Sequence, residues 1–116
     1  MATTSDQVPE ITPEEARDLA ASGAYLLDVR EDDEWKAGHA TGAAHIAMGL
    51  VMDRIGEVPS GRTVICICRA GGRSGAVATT LAGLDLDARN LTGGMLAWEA
   101  AGFPVITDDG GPGRII

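Results

Sequence analysis

Four consecutive apolar residues, Val64-Ile65-Cys66-Ile67, show no polar alternation and run directly into Cys68-Arg69-Ala70-Gly71-Gly72-Arg73-Ser74. A strand with one solvated face alternates, so this unbroken run predicts a strand buried on both faces, as in the middle of a parallel sheet. Parallel neighbours require crossover connections, and helices lying on both faces supply them. The run therefore constrains the chain to an α/β fold. In such sheets ligands bind at the carboxyl ends of the strands, which is where Cys68 falls.

The rest of the chain supplies the other elements. Residues 8–11 are expected as a first strand. Thr12-Pro13-Glu14-Glu15 has the form of a helix start, with Thr12 as cap, Pro13 in the first turn and Glu15 closing a capping box. That helix should run to about residue 21 and end near Gly23. Residues 24–29 read as a second strand. Glu31-Asp32-Asp33-Glu34 opens a short helix, its acids favoured by the helix dipole. Residues 43–46 form a short strand; then Met48, Val51, Met52 and Ile55 recur at helical spacing, with Asp53 and Arg54 on the other face, as core packing. After the 64–67 strand, a helix over residues 73–84 carries Gly75, Ala76 and Ala78, which permit close approach to the sheet. Residues 88–91 form the last strand and 94–101 the last helix, with Gly102 as left-handed cap, Phe103 as the contact after it and Pro104 as the stop. The expected fold is a central parallel five-stranded sheet with helices on both faces. Residues 1–7 are expected to be disordered, 8–106 to form the domain, and the Gly- and Asp-rich residues 107–116 to form a flexible tail.

At 116 residues the chain is one domain, large enough to build a core without disulfides. No stretch approaches the roughly 18 apolar residues of a membrane span, and the first residues lack the pattern of a secretory signal. Two cysteines spaced C-x-C argue against a disulfide framework and for a reducing, cytoplasmic setting. With 9 basic against 17 acidic groups the net charge is −8, which repels nucleic acid and anionic membranes alike. Arginines beside Cys68 are conspicuous on such a background.

Their setting has a chemical meaning. Gly71 and Gly72 let the backbone turn tightly and aim successive N–H groups inward, and the following helix presents its positive end to the same spot. Arg69 and Arg73 add charges that do not titrate near neutrality. A thiol held there ionises more readily than a free cysteine. The loop is read as a nucleophilic cysteine in an anion cradle.

This loop resembles the active-site loop of the rhodanese family of sulfurtransferases. Three further stretches resemble that family in the right order. They are Leu26-Leu27-Asp28-Val29-Arg30-Glu31 with Glu34-Trp35, then Gly38-His39-Ala40-Thr41-Gly42-Ala43. The last is Leu91-Thr92-Gly93-Gly94-Met95-Leu96-Ala97-Trp98 with Gly102-Phe103-Pro104-Val105. One departure is Ala40-Thr41, where the family more often carries a bulky aliphatic residue and a proline. The resemblance spans about residues 8–106. It implies that the Cys68 thiolate attacks the outer sulfur of thiosulfate or a similar small anionic donor. Sulfite leaves and a persulfide remains, to be discharged by cyanide or a thiol. Backbone amides over Arg69, Ala70, Gly71, Gly72, Arg73 and Ser74 would bind the anionic groups, with Arg73 on the sulfonate and Arg69 assisting at the mouth. Asp28 and Arg30 are expected as a structural pair at the same sheet edge, and Trp35 as a residue of the pocket rim. No cofactor or metal is implied.

Other readings have distinct signatures. A cysteine phosphatase needs C-x5-R; here Cys68 to Arg73 is C-x4-R, and counting from Cys66 gives C-x6-R. A rhodanese-like interaction module would be expected to lack the loop cysteine. A persulfide carrier serving a sulfur-relay protein shares every feature of the enzyme. His39 and His45 with the cysteines do not have a structural-zinc spacing. Cys66 reads as a small buried hydrophobe; if alternation holds through Cys68, the two thiols share a face, and Cys66 is then a candidate resolving thiol.

Overall fold

A computed structural model describes residues 8–116; the expectation of disorder over residues 1–7 lies outside the described residues. The elements in chain order are β1 (Glu10–Ile11), α1 (Pro13–Ala21), β2 (Tyr25–Asp28), α2 (Asp32–Ala37), β3 (His39–Ala40) and β4 (Ala44–His45). They continue with β5 (Val64–Ile67), α3 (Gly72–Gly83), β6 (Ala88–Leu91), α4 (Gly94–Ala100) and β7 (Val105–Ile106). Five strands form one sheet in the order β1-β6-β5-β2-β4, and every pairing in it is parallel.

The apolar run occupies the centre, as its pattern requires. All four residues of β5 are buried. Their alternation splits the core in two. Val64, Cys66 and Cys68 pack with Val77, Ala78 and Leu81 of α3 and with Val51 and Val58. On the other face Ile65 and Ile67 pack with Ala16 of α1 and with Met95 and Trp98 of α4. The start of α1 carries the expected reciprocal cap: the Glu15 N–H donates to Thr12 Oγ1 at 3.1 Å and the Thr12 N–H to Glu15 Oε1 at 2.9 Å. Gly102 has φ +84°, the left-handed value expected after α4.

Two expectations fail. The Met48–Ile55 stripe is not a packed helix: it forms 3₁₀ turns at Met48–Leu50 and Ile55–Glu57. Val51 points into the core, while Met48 and Met52 are 38% and 52% exposed. Gly49 and Gly56 interrupt the segment and weaken any longer helix. The second correction concerns residues 107–116, which are not a loose tail. A turn closes with the Thr107 N–H on Gly111 O at 3.0 Å; the Gly113 N–H reaches Val105 O at 2.8 Å and the Arg114 N–H reaches Ala37 O at 2.8 Å. Ile115 packs against the α1–α4 half of the core. Glycines make this fold-back possible, since a Cβ on Gly113 would lie 2.7 Å from the Gly38 Cα. A small antiparallel pair, β3 with β7, lies beside it and was not expected. Among the described residues no helix is long and apolar enough to cross a membrane.

Beyond β2 a buried ion pair pins the connection to α2. Asp28 and Arg30 are both fully buried. The Arg30 Nη2 donates to Asp28 Oδ2 at 2.8 Å and to Gly38 O at 2.7 Å, and Nε donates to Oδ1 at 3.0 Å. Breaking such a pair on one side leaves an uncompensated charge in the interior. Asp28→Ala is expected to cost about 3–5 kcal/mol of unfolding free energy, read as a lowered midpoint in urea titration.

Candidate active site

Cys68 is the first residue past β5, and α3 begins four residues later. Gly71 caps α3 with φ +111°, a conformation open to glycine at little cost. That geometry turns the loop around the sulfur. The Gly71 N–H donates to Cys68 Sγ at 3.1 Å, and Ser74 Oγ lies 3.2 Å from the same atom. Burial opposes ionisation of Cys68. The Ser74 hydroxyl and the amides of Ser74, Gly71 and Ala70 outweigh it and hold the thiol below its ordinary value. Cys66 lies on the same strand face but receives no such donors. Burial, with a smaller contribution from the neighbouring Cys68 charge, pushes its thiol up to about 12.

The outward-facing carbonyls of the loop are held as firmly as the inward amides. The Met95 N–H donates to Cys68 O at 2.8 Å and the Leu96 N–H to Arg69 O at 3.1 Å, so α4 grips the loop by its first turn. This demands a backbone approach that only glycine permits. Gly93 and Gly94 both have positive φ, and a Cβ on Gly94 would collide with the Cys68 carbonyl oxygen and lie 2.6 Å from Arg69 C. The sequence showed the Gly-Gly pair without its purpose.

Both loop arginines have partners within the chain. Arg73 forms a two-pronged pair with Glu34 of α2, at 2.8 Å and 2.9 Å. The Arg73 hydrogen bonds outweigh burial and bring Glu34 down to about 2, and Glu34 in turn raises Arg73. Of the acidic quartet, Glu34 thus braces the site in addition to favouring its helix. Arg69 donates from Nε to Ile116 O at 2.9 Å, which ties the folded-back C-terminal residues to the loop. Trp35 stacks with two imidazoles. Its ring is 3.5 Å from that of His39 and 4.8 Å from that of His45, both nearly parallel. His39 Nδ1 is 2.9 Å from Trp35 O and His45 Nε2 2.7 Å from Arg30 O, each as a donor to a carbonyl. Those contacts draw the histidines to α2 and to the segment just after β2. Among the described residues no group of three or more metal-ligating side chains converges.

One neighbour of the sulfur had no signal in the sequence. Asn90 of β6 is 3% exposed, and its Oδ1 lies 2.6 Å from Ser74 Oγ. Its Nδ2 donates to Gly71 O at 3.0 Å and to the Glu10 carboxylate.

A parallel α/β sheet that delivers a cysteine into a turn of inward-facing amides at a helix start defines a class of α/β domains with a loop thiol at the carboxyl edge of the sheet. The comparisons place the chain within it. Residues 12–101 match the rhodanese-like domain, and the chain belongs to that family. YtwF of Bacillus subtilis is 38% identical over 80 residues, covering 69% of this chain and 78% of that protein. GlpE of Pseudomonas paraeruginosa, a thiosulfate sulfurtransferase, is 30% identical over 107 residues, covering 91% and 96%. A crystal structure of a rhodanese-related protein from Thermoplasma volcanium superposes with a TM-score of 0.81 at 24% identity. It covers 86% of this chain and 99% of that one, a likeness of fold. At the level of the family, the chain is a rhodanese-like protein with sulfurtransferase relatives.

Gly94→Ala is expected to cost at least the roughly 1–3 kcal/mol of a left-handed alanine. Because it displaces the loop carbonyls, it should also raise the Cys68 thiol pKa. Urea titration and the pH dependence of iodoacetamide alkylation check the two effects separately.

Proposed function

We propose that the protein is a sulfurtransferase that carries a sulfane sulfur as a persulfide on Cys68, taken from thiosulfate or a similar small anionic donor and passed to a thiol or cyanide. The observation that carries this reading is the pair of donors on the sulfur, the Gly71 N–H at 3.1 Å and Ser74 Oγ at 3.2 Å. They favour a thiolate before attack, and the same ring of amides favours the anionic outer sulfur afterwards. The name of the GlpE relative supports thiosulfate as donor. Two buried thiols without a disulfide suit a reducing cytoplasm. The C-x4-R spacing, together with the pairing of Arg73 to Glu34, disfavours a phosphatase, whose arginine must face the phosphoryl group.

A second reading is favoured by the charges at the site. Arg73 is paired and Arg69 is tied to Ile116, while Glu31, Asp32 and Asp33 line an adjacent cleft with Ala47, Gly49 and Leu50. A small anion meets little free positive charge there. A persulfide carrier that exchanges sulfur with a relay protein would not depend on one.

Intact-mass measurement after exposure to thiosulfate tests the main reading. The wild type is expected to gain one sulfur, lose it to cyanide, and gain none as Cys68→Ser. An unmodified wild type overturns it. Glu34→Gln frees the Arg73 guanidinium and should lower the KM for thiosulfate severalfold in a sulfurtransferase assay. An unchanged KM would speak for the carrier reading.

A further inference from the structure

The Ser74 hydroxyl has one proton and three acceptors within reach, of which Gly71 O is the farthest at 3.4 Å. Asn90 Oδ1 stands 2.6 Å away and Cys68 Sγ 3.2 Å away. The Asn90 carboxamide cannot turn to relieve this, because both of its Nδ2 protons are in use, on Gly71 O and on Glu10. Glu10 is itself held by the Thr92 hydroxyl at 3.0 Å. Gly75 gives the carboxamide its room: a Cβ there would lie 3.2 Å from Nδ2. Oδ1 therefore presents a fixed acceptor to the serine at the shortest of the three distances, and a proton given to the amide is not available to the sulfur.

The charge on Sγ changes during sulfur transfer. In the first step its lone pair forms a bond to the outer sulfur of the donor, the donor's S–S bond breaks, and that electron pair leaves with sulfite. The negative charge then resides on the outer sulfur, and Sγ is neutral. In the second step the acceptor's lone pair bonds to the outer sulfur, and Sγ recovers the electron pair as a thiolate. Sγ is thus anionic at both ends of the cycle and a poor acceptor between them.

We propose that Asn90 is a positioning residue for this transfer: its Oδ1 takes the Ser74 proton while Cys68 carries the persulfide and yields it while Sγ is a thiolate. Ser74 then stabilises Sγ both as nucleophile and as leaving group, with no buried hydroxyl proton left unpaired between. The inference rests on Cys68 being the sulfur carrier. The other charged or titratable groups around the sulfur are Arg73 of α3 with Glu34 of α2, Arg69 of the loop, Cys66 of β5, and Glu10 of β1 beyond Asn90.

The test is the alkylation pH profile of Cys68, with the modified site verified by peptide mass. Asn90→Ala removes the rival acceptor and should lower the thiol pKa, raising its acid constant about threefold to tenfold. Asn90→Asp keeps a stronger acceptor and should raise the pKa. Both variants lose the same bonds to Gly71 and Glu10, and the added carboxylate of Asn90→Asp raises the thiol pKa through its charge as well, so the share of each shift that runs through the hydroxyl is read in a Ser74→Ala background. In a Ser74→Ala background the Asn90→Ala shift should vanish. Shifts of the same sign, or an Asn90→Ala effect that persists without Ser74, overturn the proposal. If Asn90→Ala does not fold, the Asn90→Asp rise must shrink in the Ser74→Ala background; an undiminished rise overturns it. Alkylation needs no sulfur donor. Absence of sulfur uptake on Cys68 therefore strikes the proposed function, whereas uptake with same-sign shifts strikes the role of Asn90 alone.

Discussion

The structure depends on the orientation of a few peptide groups between β5 and α3. Their amides face the sulfur and their carbonyls face the first turn of α4. Each set needs the other, because an amide can point inward only if the carbonyls beside it have partners elsewhere. Gly71 supplies the turn on one side, and Gly94 admits α4 on the other. Two sequence segments more than twenty residues apart thus build one loop, and the cysteine chemistry is a property of both.

Charge is handled with similar economy. The chain is acidic overall, yet the cations nearest the sulfur are engaged, Arg73 by Glu34 and Arg69 by Ile116 O. What remains for an anion on the sulfur is dipoles: backbone N–H groups, one hydroxyl and the start of α3. Fixed dipoles in a water-poor loop stabilise a small localised charge effectively, and they do not have to be released before a substrate leaves. The salt bridges hold the frame within which those dipoles are aimed.

The parts legible in the sequence were those whose cause is local. An unalternating run of four residues placed the central strand, a capping box placed α1, and Gly71 placed the turn after Cys68. The Met48 to Ile55 stripe misled because its spacing was helical while two glycines undercut a helix. The partners of the site came from far along the chain. Glu34 is 39 residues from Arg73, Asn90 is 16 from Ser74, and Arg69 meets Ile116 across 47. None of these pairings leaves a periodic trace, and only the topology of the sheet brings them together. The adjacent glycines 93 and 94 were the one available clue, since two positive-φ residues in succession signal a close backbone approach.

The contrast between the two cysteines isolates what the loop contributes. Cys66 and Cys68 alternate onto one face of the same chain segment and join the same packed cluster. Burial acts against ionisation in both. For Cys66, between Leu27 and Asn90 in the sheet register, backbone N–H groups are spent on strand pairing, and the thiol is pushed up to about 12. Past Ile67 strand pairing ends, the next amides are released from the ladder, and the turn at Gly71 redirects them to sulfur. Two residues of chain therefore separate an inert thiol from an activated one. A resolving role for Cys66 would require a thiol that stays protonated in the core to attack its neighbour, which the arrangement of donors opposes.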